Sequence, residues 1–304
     1  MFIFVIRKFL RSVFILFGLL VFNTALHAQQ KDNITLGILT DCQYCNCEPG
    51  EDRFYPYSLK KLDSCLAFFN SQGLDAVFHL GDIIDHGFSN YDSVIPHFQK
   101  FNSPVFYVLG NHDFAVKDKE KKEVLKKTGM KETNYSVIIG NWQFIVLNGN
   151  DLSFLSPQSN AQKKERNSLI IDLVQGLRCN FMPWNGGIGS SQMKWLESQL
   201  KEADLYRRKV VILCHFPVYP PSYYNLWNDQ AMLSLIWKHP AVKAYFNGHY
   251  HAGNYGFKNG IHFVNFKGMV QTPTNAYAKV TLTADSIFID GYGREPSRRL
   301  NISW

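Results

Sequence analysis

Residues 76–85 read Ala-Val-Phe-His-Leu-Gly-Asp-Ile-Ile-Asp: an apolar run, a glycine, then Asp82 and Asp85 in the turn beyond it. A short apolar run bounded by turn residues is the pattern of a strand buried on both faces. The arrangement recurs along the chain. Residues 34–39 precede Asp41-Cys42-Gln43, and 105–109 precede Gly110-Asn111-His112-Asp113. Residues 210–213 precede Cys214-His215, and 242–246 precede Gly248-His249-Tyr250-His251. Helical stretches lie between. Residues 58–69 set Leu59, Leu62, Leu66 and Phe69 on one face, and 94–101, 169–177, 192–200 and 230–237 read as further helices. Residues 117–127 read as a polar, peripheral helix. Gly140-Asn141, between strand-like runs at 135–139 and 142–147, is a two-residue hairpin signal. The glycines of 184–189 mark an irregular loop, and 261–266, 276–282 and 286–289 read as strand after strand. The predicted class is α/β: two packed mixed β-sheets flanked by helices, with the strand-end loops gathered at one edge.

Those loops carry chemistry. Each fragment alone has an ordinary reading: Gly81-Asp82 as a turn, Gly110-Asn111 as a left-handed backbone position, a lone histidine as a solvated residue. Alternate histidines, as in His249 and His251, project to one side of an extended chain. Together the five fragments offer carboxylates, amide oxygens and imidazoles, the donor set of a two-metal hydrolytic centre.

With 304 residues and 46% hydrophobic content, the chain can bury the core of one large domain. Residues 1–28 stand apart from it. Arg7, Lys8 and Arg11 form a positive segment, 13–22 an apolar one interrupted by Gly18, and Ala25-Leu26-His27-Ala28 offers a small residue before Gln29. That is a signal-peptide pattern, with an apolar run short for a membrane span. Leu26, where a small residue is preferred, leaves an uncleaved anchor as the alternative. The expectation is a periplasmic or secreted domain over 29–304, with no stable membrane span after cleavage. Arg7, Lys8 and Arg11 are the only charged residues before Gln29, so the remainder carries 29 basic against 25 acidic residues, a net +4. So mild an excess gives no argument for nucleic acid, and the lysines of 117–127 alternate with Glu120 and Glu123 as on a solvated helix face. Six cysteines permit disulfides in an oxidising compartment but leave the pairing open. Cys42, Cys45 and Cys47 have no second cysteine pair at ligand spacing, so a structural zinc is not expected.

The order Asp-x-Gln, Gly-Asp-x-x-Asp, Gly-Asn-His-Asp, His, Gly-His-x-His resembles the calcineurin-like metallophosphoesterases. Their usual first motif is Asp-x-His, from which Gln43 departs. Asp41-Cys42-Gln43-Tyr44, Arg53-Phe54-Tyr55, Asn185-Gly186-Gly187-Ile188, residues 215–220 and the tail 291–296 are similar to the manganese-dependent ADP-ribose/CDP-alcohol diphosphatase subfamily. The resemblance spans nearly all of 29–304. It implies two divalent ions, manganese with magnesium as the alternative. Asp41, Gln43 and His251 would hold one, Asn111, His215 and His249 the other, and Asp82 would bridge them. A neutral amide at Gln43 is a harder, weaker ligand than imidazole, which favours manganese or magnesium over zinc or iron. The alternative is that Gln43 disables one site.

The resemblance further implies that metal-activated hydroxide attacks phosphorus while His112, oriented by Asp85, serves the leaving oxygen. The substrate would be a small nucleoside diphosphate linked to a sugar or alcohol: ADP-ribose giving AMP and ribose 5-phosphate, or CDP-choline giving CMP and phosphocholine. Tyr44, Phe54, Asn185, Gly186, Gly187 and Tyr223 are candidate substrate contacts, and residues 217–224 a candidate rim. A broad phosphomonoesterase or cyclic-nucleotide phosphodiesterase on the same metals is the rival enzyme. A non-catalytic exported binding protein is the rival from another class. The oligomeric state stays open.

Overall fold

The structure, a computed structural model, describes residues 33–50 and 52–303; the signal-peptide reading of 1–28 lies outside them. Strands β1 (Ile34–Leu39), β2 (Ala76–His79) and β3 (Val105–Tyr107) run parallel. They extend an antiparallel set of β10 (Ala276–Leu282), β11 (Ser286–Gly293) and β12 (Arg298–Asn301), in the order β12-β11-β10-β1-β2-β3. The second six-stranded sheet has the order β4-β5-β6-β7-β9-β8. Its members are β4 (Tyr135–Ile139), β5 (Trp142–Val146), β6 (Lys209–Leu213), β7 (Val242–Asn247), β8 (Asn254–Lys258) and β9 (Ile261–Asn265). Here β5, β6, β7 and β9 are parallel, and β4 and β8 close the edges antiparallel.

Alternation in the parallel strands explains the layering. Ile34, Leu36, Ile38, Ala76 and Phe78 face Phe144, Val146, Val211, Leu213, Ala244 and Phe246 across the gap between sheets. The rings of Phe78 and Phe144 meet at 5.1 Å. Each such Val, Leu, Ile or Phe side chain contributes about 1.5–3 kcal/mol when fully buried. The alternate residues are buried as well. Helices α1 (Ser58–Gln72) and α2 (Asn90–Phe98) cover the first sheet with Leu62, Phe69, Val94 and Phe98. Helices α6 (Ser190–Leu205) and α7 (Asp229–Ile236) cover the second with Leu196, Leu200, Met232 and Ile236. Two-sided burial is why these strands read as continuous apolar runs. Parallel pairing puts the C-terminal ends of β1, β2 and β3, and of β6 and β7, side by side, and the loops beyond them meet at one edge.

Departures from the sequence reading fall where burial is slight. The expected polar helix at 117–127 is two short helices, α3 (Asp118–Lys121) and α4 (Val124–Thr128), and Val124 is buried rather than solvated. Helix α5 (Asn160–Gln175) begins nine residues before the expected 169, at a Ser159/Gln162 capping box, and only its Leu173 is buried. Helix α2 starts at Asn90 rather than 94. Strands β8 and β12 were not expected; both are sheet edges with polar or exposed residues. Cys45 and Cys47 form a disulfide, while Cys42, Cys65 and Cys214 are buried thiols. Among the described residues no helix is long and apolar enough to cross a membrane.

Candidate metal centre

The loops beyond β1, β2, β3, β6 and β7 brace one another. Asp41 N–H donates to Gly81 O at 3.0 Å, Gln43 N–H to Asp82 O at 2.9 Å, and Gly248 N–H to His215 O at 3.1 Å. The fully buried Asp113 carboxylate accepts from the N–H groups of Asp82, Ile83 and Gly110 and from the Tyr91 hydroxyl, at 2.8–3.0 Å. Burial and the neighbouring Asp82 push Asp113 up to about 6. Asp41, Gln43, Asp82 and His249 all sit at left-handed φ, of 50°, 41°, 58° and 70°. Non-glycine residues adopt this region at a cost of about 1–3 kcal/mol each and keep it only where the surroundings dictate it. Asn111, by contrast, has φ −71°, so its loop is not the left-handed turn that Gly-Asn permits. Gly110 is required for space: a Cβ there would lie 2.1 Å from Asp82 Oδ1.

The polar ends converge. His215 Nε2 is 3.1 Å from Asp82 Oδ2 and 4.0 Å from Asp41 Oδ1, and His251 Nε2 is 3.3 Å from Asp41 Oδ1. Asp82, His215 and His249 each present a ligand atom within 4.8 Å of the others. Three of the buried atoms, Asp41 Oδ1, Asn111 Oδ1 and His215 Nε2, have no partner in hydrogen-bonding alignment, the short contacts of the first and third being off-axis. Buried polar atoms are ordinarily paired, so unpaired Asp41 and His215 atoms beside Asp82, with a third on the neighbouring Asn111 loop, mark a site shaped for cations. His215 Nδ1 is 2.9 Å from Leu80 O, a pure acceptor, so it carries the proton and Nε2 offers the lone pair. Burial alone would lower His215, yet Asp82 and Asp41 push it up to about 9. Without metal, a proton on His215 offsets the two carboxylates. These donors fit two divalent ions.

His112 stands beside this cluster. Its backbone N–H donates to Asp82 Oδ1 at 2.8 Å, and Nδ1 donates to Asp85 Oδ1 at 2.7 Å, leaving Nε2 free. Burial disfavours the imidazolium, but Asp82 and Asp85 outweigh it and hold the pKa of His112 above its ordinary value. Asp85 also accepts from the Tyr55 hydroxyl at 2.9 Å. Gln43 faces the centre with its amide nitrogen, 3.1 Å from both Asp82 Oδ2 and His251 Nε2. Its Oε1 accepts from Arg53 Nε at 3.0 Å. As a metal ligand it would have to turn the amide over.

The expected substrate contacts scatter. Tyr44 packs against the core beneath α1 and α2 and pairs through its backbone with Ile83 and Asp85. Asn185 is fully buried, with Oδ1 2.8 Å from His249 Nε2. Gly186 and Gly187 seat their loop on 149–152: a Cβ on Gly186 would lie 2.2 Å from Gly149 O, and Leu152 N–H donates to Gly187 O. Phe54 packs by Tyr57, and Tyr223 is exposed. Tyr224, in the expected rim, stacks on Tyr250 at 4.5 Å and 21° and meets the His249 ring edge-on at 5.7 Å. Reasoning from sequence passed over Tyr250 and Arg53 as site residues. The signals were the place of Tyr250 between two histidines and the Arg-Phe-Tyr triplet.

The sequence pattern of the family Calcineurin-like phosphoesterase matches residues 34–253. The manganese-dependent ADP-ribose/CDP-alcohol diphosphatase of Bos taurus is 29% identical, over 91% of this chain and 96% of that protein. The Arabidopsis thaliana protein of the same name is 25% identical, over 83% and 91%. A dimetal phosphatase from Danio rerio of known structure shares the fold, with a TM-score of 0.79 and 24% identity over 89% of this chain and 99% of that one. With most of the chain matched and a buried Asp/His cluster at the strand ends, this protein belongs to the calcineurin-like phosphoesterases, a family of metal-dependent phosphoester hydrolases.

Proposed function

We propose that the protein is an exported two-metal phosphohydrolase that splits the diphosphate bond of nucleoside diphosphates linked to a sugar or alcohol, ADP-ribose and CDP-alcohols among them. The orphaned Asp41, Asn111 and His215 atoms carry the metal reading. Relatives of that named activity along almost their whole length support the substrate. Asp41 and His251 would hold one ion, with Gln43 joining once its amide is reversed. Asn111, His215 and His249 would hold the other, with Asp82 between them. The weak amide ligand favours manganese, then magnesium. When bound, two such ions supply a nucleophile at neutral pH and neutralise charge on the phosphoryl oxygens.

The chain's own groups do the rest. His112 Nε2, where Asp82 and Asp85 favour a proton, donates to the oxygen of the departing phosphate. The Tyr224–Tyr250 pair walls the His249 side, where an aromatic base finds a flat surface worth about 1–3 kcal/mol. The Cys45–Cys47 disulfide supports an oxidising compartment, in keeping with the signal-like residues 1–28. N-terminal sequencing of the mature protein should begin at Gln29; an intact Met1 on a cytoplasmic product would contradict export.

The activity is tested by stripping metal from residues 29–304, restoring manganese, and comparing ADP-ribose, CDP-choline and p-nitrophenyl phosphate. A clear preference for either diphosphate is expected. Equal or faster turnover of the aryl phosphate would assign the centre to a broad phosphomonoesterase. No turnover of any would favour a binding protein.

A further inference from the structure

We infer that Asn185 is a positioning residue for the metal centre: its amide fixes His249 as the Nε2–H tautomer, so that Nδ1 is the nitrogen offered to a divalent cation. The inference rests on the reading of the cluster as a metal centre. It gives the first residue of the Asn-Gly-Gly loop a role distinct from substrate contact.

The orientation of the Asn185 amide is settled by its surroundings. Nδ2 lies 3.0 Å from Asn180 O, 2.7 Å from Tyr223 O and 3.0 Å from Asn225 O. Carbonyl oxygens only accept, so the NH2 end must face them; the reversed amide would set an oxygen against three oxygens. Oδ1 is therefore the atom 2.8 Å from His249 Nε2, and it can only accept. The proton on that bond belongs to His249. A neutral imidazole carries one N–H, which leaves the lone pair on Nδ1. His215 shows the same logic with the opposite nitrogen, because Leu80 O takes its Nδ1–H.

Those carbonyls are themselves held. Asn180 Nδ2 donates to Leu226 O at 2.6 Å, and Asn225 Nδ2 donates to Pro220 O and Asp229 Oδ2, both at 3.2 Å. The seating depends on the next residue. Gly186 packs against the Gly149 carbonyl where a Cβ would lie at 2.2 Å, and its own carbonyl accepts from Trp227 N–H at 2.8 Å. Phe216, 4.6 Å from the His249 ring at 67°, limits rotation of the imidazole from the other side. A hydrogen bond that fixes the tautomer of a ligating histidine is a common second support of metal sites, and losing one weakens metal binding about 10- to 100-fold.

The test compares Asn185→Leu with Asn185→Asp. Both lose the NH2 that serves the three carbonyls, and Asp sets an oxygen against them, a cost the melting reads; only Asp keeps an oxygen for His249 Nε2–H. Titration calorimetry with Mn2+ on the metal-stripped protein reads the affinity, and melting in EDTA reads the cost to the fold. Leu is expected to weaken one of two manganese sites about 10- to 100-fold, with Asp within a few-fold of wild type. Equal loss in both variants, or none in Leu, overturns the inference. Whether or not the variants fold, 15N spectra of metal-free wild type decide the tautomer, His249 being identified by the signals missing in His249→Gln. An Nε2–H is expected, and an Nδ1–H overturns the inference. Wild type that binds no Mn2+ would sink the metal reading, while the same spectra still decide the hold of Asn185 on His249.

Discussion

The two sheets bring unlike halves to the centre, and the halves are built by different means. The first sheet supplies Asp41, Asp82, Asn111 and the His112–Asp85 pair from turns directly beyond β1, β2 and β3. Those turns are fixed by main-chain bonds and by the buried carboxylate of Asp113. The second sheet supplies His215 and His249, whose backbone positions follow from β6 and β7 but whose rings are turned by partners far away in sequence. Leu80 O orients the first and Asn185 the second. A carboxylate has two equivalent oxygens and tolerates rotation, whereas an imidazole presents a single lone pair whose position depends on the tautomer. The carboxylates of the first half therefore need only a rigid turn, while His112 takes its hydrogen bond from Asp85. The imidazole half needs a hydrogen bond from elsewhere.

If the halves differ in this way, substitutions should rank accordingly. The largest effect is expected from Asp82→Asn, since Asp82 touches Gln43, His112 and His215 and, on the proposed reading, would lie between both ions. Activity should fall to background and neither ion should be held tightly; two tightly bound ions by elemental analysis would remove Asp82 from its bridging place. Next comes His112→Ala, expected to cost about 10²–10⁴ in kcat on ADP-ribose. On a p-nitrophenyl ester of a nucleoside monophosphate, whose leaving group needs no proton, the loss should be far smaller. Equal losses would contradict the acid role. The Asn185 series follows, acting on metal affinity within the imidazole half.

The smallest effect is a shift rather than a loss. Asp82 and Asp85 hold His112 above its ordinary 6.5 against a burial penalty that acts downward. Asp85→Asn removes one of those charges, so His112 gives up its proton at lower pH, and the alkaline limb of the pH–rate profile moves to lower pH. A limb that stays in place would mean another group sets it. The same shift bears on stability: with the folded value raised, the contribution of His112 is complete below 6.5 and is lost as pH rises through the folded value.

The contrast also explains what could be read in the sequence. Strands buried on both faces appear as apolar runs, and polar residues directly beyond them stand out, so the two-sheet class and the strand-end loops that carry Asp41, Asp82, His215 and His249 were legible. The first nine residues of helix α5 announced themselves only by a capping box, because fifteen of its sixteen residues are not buried. Edge strands β8 and β12 bury too little to leave a period-2 pattern. The role of Asn185 was hidden for another reason. A glycine pair beside it reads as a turn, and nothing local reports that its partner lies 64 residues away. The direction of the Gln43 amide depends likewise on Arg53, a contact that spacing does not specify.

The most direct measurement is anomalous diffraction from crystals of the manganese-loaded protein. Two peaks are predicted, both against Asp82. One should be flanked by Asn111, His215 Nε2 and His249 Nδ1, and the other by Asp41 and His251. A single peak, or peaks that Asp82 does not touch, would contradict a two-metal centre assembled from the edges of the two sheets.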